Sequence, residues 1–570
     1  MTTELFGVLA TAALWLALGI PLGRYLAAAL RSPAERGAPH WSDRAFGWIE
    51  TPVFRLCGID ADRPTGWRPY VTALMGVNLL AVLAVYFGLA FQAALPLNPD
   101  AAPSMEPTLA FHTAASFIAN TDQQHYSGES AASHFGQAGP LMFLMFLSAA
   151  TGLAAFAAIC RALGNRENPL VGNFHADLTR AFTRVLLPLC LPLALLLLWQ
   201  GSPMTWAGRA AFTGLDGTEG SIHRGPVAAF VAIKHLGTNG GGFFGANTAH
   251  PYESPTYLTN MLLVGAQVLL PLACVWAFGH ITGRRRVAGA VFAAMLLLYT
   301  LGSTVAIQQE WAGNRGVAML GFMQPGGNME GKEVRFGAMA SAYFATATTA
   351  TSTGAVNCMH DSLTPLAGLV ALVNMWVNCV FGGDGVGFVN MLLYVVVTVF
   401  IAGLMVGRTP EFLGKKIEMR EVKLAALALL VHPALILGFS AVACAMPAVA
   451  ATVSNPGAHG FGQILYEYTS AAANNGSGFE GLGDNTPWWN VSCGMVMLIG
   501  RYIPLIAPLA LAASLGAKKT VPEGAGTFRT DDGLFVCMLL ATIAVVGALL
   551  FLPVAVLGPV AEFLGQSKGF

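Results

Sequence analysis

Four short polar runs interrupt an otherwise apolar sequence: Ala119-Asn-Thr-Asp122, Gly237-Thr-Asn-Gly240, Thr351-Ser-Thr-Gly354 and Ala473-Asn-Asn-Gly476. Their last residues lie 118, 114 and 122 positions apart, and similar motifs at a regular spacing mark internal repetition. Backbone carbonyls can replace the hydration oxygens of a cation without any titratable group. Glycine lets a strand adopt the angles that turn its carbonyls inward, while Ser, Thr and Asn side chains can brace it from behind. Such a set suits a weakly hydrated monovalent cation, K⁺ before others, because no carboxylate cluster accompanies it. One Thr-Asn-Gly is an ordinary turn; four evenly spaced copies point to a shared role.

These runs need elements to hold them, and the composition says which. Of 570 residues 55% are hydrophobic and only 11% charged, with a mean hydropathy of +0.59. A soluble enzyme and a disordered chain are excluded. Lys+Arg and Asp+Glu are 30 each, so there is no basic excess for nucleic acid. Runs such as Val185–Trp199 select membrane helices over a barrel. Nine cysteines form no Cys-x-x-Cys, the histidines show no zinc spacing, and neither a P-loop nor an Asp-Lys-Thr-Gly is present. The chain alone is therefore not expected to hydrolyse ATP. No signal peptide is expected, since the first charge is Glu4 and the basic residues follow the apolar run.

Ten spanning segments are read at 5–30, 69–95, 139–161, 183–200, 257–281, 287–308, 363–407, 422–447, 489–515 and 533–560. Twenty-two of the 30 basic residues fall in the loops after odd-numbered segments, which places those loops in the cytoplasm and both termini outside. The four polar runs all lie on long outward connections. Each follows a run too short to span, such as Phe111–Ile118 or Tyr343–Thr348, which predicts a half-helix entering from outside. Non-helical backbone at membrane depth survives only where it lines a cavity or is buried in protein, so four such loops around one axis would form a narrow polar throat. The expected fold is an all-α polytopic membrane protein, ten transmembrane helices with four pseudo-fourfold helix–pore-loop–helix repeats. The units are an N-terminal helix and loop at 1–68, repeats at 69–161, 183–281, 287–407 and 422–515, and a C-terminal helix at 533–570.

The seventh segment is about twice the length a bilayer needs. Phe381-Gly-Gly-Asp-Gly-Val-Gly-Phe388 lies inside it, and glycines this dense cost a helix roughly 1 kcal/mol each. A helix broken in mid-membrane at Gly382, Gly383, Gly385 and Gly387 is expected beneath the throat. Asp384 is then an ionisable residue near the midplane and a functional candidate; a kink for close helix packing is the plainer reading. Arg501, inside the ninth segment, must pair or reach water.

The stretches His235–Asn247, Thr351–Asn357, Ala473–Ser477 and Gly407–Lys416 resemble the family of potassium-binding subunits (KdpA) of the Kdp potassium-transporting ATPase, from the first helix to the last. The resemblance implies the K⁺-transporter superfamily, four pore units in one chain, and a bacterial inner membrane. It implies three partners: a P-type ATPase subunit (KdpB-like) carrying ATP, Mg²⁺ and the phosphorylated aspartate, a single-span subunit (KdpC-like) and a very small one (KdpF-like). No cofactor belongs to this chain beyond K⁺ as the bound ion. Carried over by position, the selectivity filter is Asn120, Thr121 and Asp122; Thr238, Asn239 and Gly240; Ser352, Thr353 and Gly354; and Asn474, Asn475 and Gly476. Gln124 matches a family glutamine just above it, and Arg408 is implied in the pathway or a subunit contact. Asp122 departs from the family, which usually has Asn there; its carboxylate either faces the ion or leaves that to the backbone. By resemblance, the broken segment obstructs the pore and K⁺ passes sideways to the ATPase subunit. Two other readings remain open at this point. One is a stand-alone K⁺ channel or symporter of the same superfamily. The other is a membrane enzyme, for which no converging His, Cys or carboxylate cluster is evident.

Overall fold

The computed structural model describes residues 2–405, 407, 409–521 and 528–566; Arg408 lies outside them. Among the described residues, ten helices are long and apolar enough to cross a membrane. With the shorter helices that matter here, they run in the following order. First come α1 (Glu4–Ala29), α2 (Trp41–Leu56) and α3 (Trp67–Ala90), then α4 (Pro107–Ile118), α5 (His134–Gly164) and α6 (Phe174–Trp199). Next are α7 (Val227–Leu236), α8 (Tyr257–Ile281), α9 (Arg285–Met319), α10 (Ala338–Ala350) and α11 (Pro365–Val377). The chain closes with α12 (Val386–Met405), α13 (Met419–Ala445), α14 (Gly457–Ala473), α15 (Pro487–Gly516) and α16 (Gly533–Gln566). Three small antiparallel ladders, 65–66 with 170–172, 210–213 with 219–222 and 411–412 with 415–416, lie in the connections.

Burial sorts the spans into two shells. In α5, α8, α12 and α15 the apolar window is 67–89% buried, against 22–44% in α1, α3, α6, α9, α13 and α16. Each inner helix is the span that follows one of the polar runs. The helices that precede the runs (α4, α7, α10 and α14) are too short to cross a bilayer at 1.5 Å per residue, and their cores are buried. Every residue of α10 is buried, yet it carries three threonines and a serine. The hydroxyls of Thr346 and Thr349 turn back onto the carbonyls of Ala342 and Ala345, 3.0 and 2.7 Å away, which satisfies them without water.

The seventh segment is divided as expected. Helix stops at Val377 and resumes at Val386. Asn378, Phe381, Gly383 and Gly385 take left-handed φ between 25° and 83°, which ends an α-helix outright. A Cβ on Gly387 would sit 2.2 Å from Gly382 Cα, so the break folds back on itself too tightly for a side chain.

Candidate ion-selecting site

All four short helices end in the same backbone figure. The amide of the middle residue of each run donates to the carbonyl five residues back: Thr121 to Ser116 at 3.0 Å, and Asn239 to Lys234, Thr353 to Thr348 and Asn475 to Ser470, each at 2.9 Å. The residue before it is left-handed in every case, with φ of 60° at Asn120, 48° at Thr238, 50° at Ser352 and 54° at Asn474. Such angles cost L-residues roughly 1–2 kcal/mol each, and they recur where function over-determines the backbone. The third position is left-handed at Asp122, Gly354 and Gly476, with φ of 52°, 86° and 102°. Asp is one of the few side chains that tolerates this region.

The four runs close into a ring. Asn120 Nδ2 donates to Thr238 O at 2.7 Å, joining the first run to the second. A Cβ on Gly240 would lie 2.4 Å from Thr353 O, one on Gly354 would lie 1.9 Å from Asn475 O, and one on Gly476 would lie 1.9 Å from Thr121 O. The order is thus first, second, third, fourth and back to the first, with each glycine pressed on the next run's carbonyl. Gly240 is not left-handed, so there glycine is required by space rather than by backbone angle.

Side chains behind the ring hold it. Asn475 Nδ2 donates to Thr348 O at 2.9 Å, Asn474 Nδ2 to Thr121 Oγ1 at 3.0 Å, and Asn239 Nδ2 to Met145 O at 3.2 Å. Ser352 Oγ donates to Asn378 Oδ1 at 2.8 Å. Gln124 makes a paired amide contact with Gly242, accepting at 2.6 Å and donating at 3.1 Å. The Asp122 side chain is lodged against Gly241, whose Cβ would come within 3.1 Å of Asp122 Cβ. Its carboxylate oxygens are buried, facing the backbone amides of Gly240 and Gly241.

Two braces were not foreseen. Lys234, in the last turn of α7, is fully buried and pairs with Glu253 at 2.6 Å and Thr248 Oγ1 at 2.9 Å. The same network fixes Asn247, whose amide donates to Gly240 O at 2.8 Å. Across the ring, Glu467 Oε1 accepts from Gln123 Nε2 at 2.7 Å and pairs with His125 Nε2 at 3.0 Å, tying the first run to α14. A lysine in a short apolar half-helix signals such a pair, since a buried charge must be matched. Together with Cys493, His125 and Glu467 form a group of possible metal donors among the described residues. They are already committed to one another as a brace.

Beneath the ring, a cavity of about 20 Å³ is lined by Asn120, Ser352, Asn378, Gly383, Asn474 and Arg501 among others. That is room for one water-sized body. The broken segment closes it from below: Gly383 N donates to Thr351 O at 2.6 Å and Asp384 N to Thr238 Oγ1 at 3.0 Å. Arg501 is buried and donates to Ser148 O at 3.0 Å, the partner that one sequence could not supply. Ser148 Oγ in turn reaches Asn239 Oδ1 at 3.2 Å. A Cβ on Gly152 would lie 2.7 Å from Asp384 O and 3.4 Å from Arg501 Nη2, so Asp384 and Arg501 converge there. The Asp384 carboxylate has no hydrogen-bond partner among the described residues. Gly382, Gly385 and Gly387 shape this segment and line no part of the ring.

The family described as "Potassium-transporting ATPase A subunit" matches residues 9–564. The chain belongs to this family. A relative from Flavobacterium johnsoniae, named potassium-transporting ATPase potassium-binding subunit, is 47% identical over 575 residues, covering 99% of both chains. Among solved structures, the potassium transporter TrkH from Vibrio parahaemolyticus has a similar fold, with a TM-score of 0.52 at 15% identity over 89% of this chain and 98% of that one. The TrkH likeness shows the helical fold.

Proposed function

We propose that this chain selects K⁺ for an ATP-driven uptake pump. It takes the dehydrated ion onto backbone carbonyls at the outer mouth and hands it to an ATPase subunit. The closed ring of four runs carries the reading, because left-handed residues at equivalent positions and carbonyl contacts around one axis are what a carbonyl cage requires. The four units then act as pseudo-equivalent pore repeats, with Asn120–Asp122, Thr238–Gly240, Ser352–Gly354 and Asn474–Gly476 as the filter. Buried braces hold the cage rigid, so affinity comes from fit rather than net charge. The segment from Asn378 to Gly385 stops straight passage and Asp384 and Arg501 set the potential beneath the ring. Partners are a P-type ATPase subunit, a single-span subunit and a very small one. The membrane is the bacterial inner membrane, with both termini outside.

The test is K⁺ uptake in a bacterium lacking its own K⁺ transporters, given this chain alone and then with its ATPase partner. Growth at low K⁺ only with the partner is the expected result. Rescue by this chain alone would favour the stand-alone channel or symporter reading, which the TrkH-like fold makes the natural alternative.

A further inference from the structure

Helix α2 plays no part in the ion path, yet it is built with care. Two carboxylates on one face hold a single guanidinium of α6. Glu50 accepts from Arg184 Nε and Nη2 at 2.7 and 2.6 Å, and Asp43 accepts from Arg184 Nη1 at 2.7 Å. Arg36 also binds Asp43, and Thr183 Oγ1 donates to Glu50 at 2.8 Å. At the helix start, Trp41 stacks on Tyr25 of α1 with ring centres 5.5 Å apart. Tyr25 lies one turn from the end of α1, so α2 is pinned at the level where the first span leaves the membrane.

The opposite face is left bare. At 100° per residue, Trp41, Ala45, Trp48, Pro52 and Leu56 form one stripe. Trp41, Trp48 and Leu56 are 59%, 74% and 88% exposed, with Arg44 and Arg55 exposed along its edge. Tryptophan beside arginine is the make-up of a helix lying in the headgroup layer, its rings among the acyl ends and its cations toward phosphate. This end of α1 is also where the arginines gather: Arg24, Arg31, Arg36, Arg44, Arg55 and Arg63 all fall between residues 24 and 63. The acidic Asp60 and Asp62 follow the helix, outside the stripe.

We infer that α2 is an interfacial helix that seats its Trp41–Trp48–Leu56 stripe in the bilayer surface and recognises anionic phospholipid headgroups through Arg44 and Arg55. The Arg184 clamp sets the angle at which the stripe meets the membrane. In the assembled complex this makes the first two helices a lipid-contacting edge rather than a subunit contact.

The experiment uses the whole complex in vesicles, with Cys57, Cys444 and Cys537 replaced by Ser as the exposed cysteines of this chain. A bimane label is placed at Ala45→Cys on the stripe or at Asp60→Cys beyond it. Quenching by a headgroup-region nitroxide lipid is compared with quenching by iodide, in phosphatidylcholine with and without phosphatidylglycerol. K⁺-stimulated ATP hydrolysis verifies that each variant is folded. The label at position 45 should be quenched by the lipid and spared by iodide, and the label at position 60 should behave the opposite way. Phosphatidylglycerol should strengthen lipid quenching at position 45. Arg44→Gln and Arg55→Gln should each reduce that preference about fivefold. Iodide quenching at position 45 would put the stripe in water and overturn the inference. Protection from both quenchers, lost when the partner subunits are stripped away, would overturn it in favour of a protein contact.

Discussion

The ring of four runs and the broken segment below it both spend glycine and left-handed backbone at membrane depth, but for opposite ends. In the ring, glycine makes room for a neighbour: the Cβ positions of Gly354 and Gly476 fall 1.9 Å from carbonyls of the next run. In the break, glycine makes room for its own chain, Gly387 against Gly382. The ring is braced by buried amides and the Lys234–Glu253 pair. The break leaves the Asp384 carboxylate without a hydrogen-bond partner. Among the described residues, four hydrogen bonds with residues of the runs join ring and break: Gly383 to Thr351, Asp384 to Thr238, Ser352 to Asn378 and Asn378 to Ala473. In the proposed function, selection and obstruction fall to separate devices in contact, and each should be breakable alone.

The largest effect is expected in the ring. Gly354→Ala or Gly476→Ala displaces a carbonyl by an ångström or more, and K⁺-dependent transport by the complex should fall about a hundredfold. Expression and assembly should persist, as size-exclusion chromatography would show. Next, Gly387→Ala should loosen the break and spare the ring. Proteoliposomes without ATP should then leak Rb⁺ while still rejecting Na⁺. Asp384→Asn should lower maximal ATP-driven uptake several-fold, by removing the ionisable carboxyl beneath the ring, and leave the K⁺ concentration for half-maximal uptake unchanged. Asp122→Asn should change least within the path, with the K⁺ to Rb⁺ affinity ratio kept, since Asn accepts the same left-handed backbone. A changed ratio would show that the carboxylate faces the ion.

The smallest effect lies far from the path. Burial raises the Asp43 carboxyl, but the His40 amide and the Arg36 and Arg184 guanidiniums outweigh it and bring it down to about 2, from an ordinary 3.8. A carboxyl lowered on folding stabilises above its unfolded value and loses that contribution as pH falls through the folded one. The Asp43 arm of the α2 clamp should thus hold above about 4 and weaken between about 4 and 2. A bimane label on α2 would report the detachment.

Much of this was legible in the sequence because membrane physics restricts the choices. Spans such as 257–281 follow from hydropathy and the four runs from their spacing; glycine density at 381–388 signals the break, which the structure places at 378–385, with Gly387 already inside the next helix. What was not legible was what side chains do across the fold. Lys234 and Lys332, on the outward connections, are both buried in ion pairs, with Glu253 at 2.6 Å and Glu310 at 2.7 Å. Only long-range contacts could reveal that Arg501 answers Ser148 O, or that Asn247 supports Gly240. Helix α2 was absorbed into an arginine-rich loop, because its apolar stripe is short and interrupted by charge.

The most direct test of the central claim is the anomalous scattering of Rb⁺ or Tl⁺ soaked into crystals of the assembled complex. The account predicts a peak on the axis of the ring, surrounded by the carbonyls of Asn120–Asp122, Thr238–Gly240, Ser352–Gly354 and Asn474–Gly476. An ion bound elsewhere, with that axis empty, would contradict it.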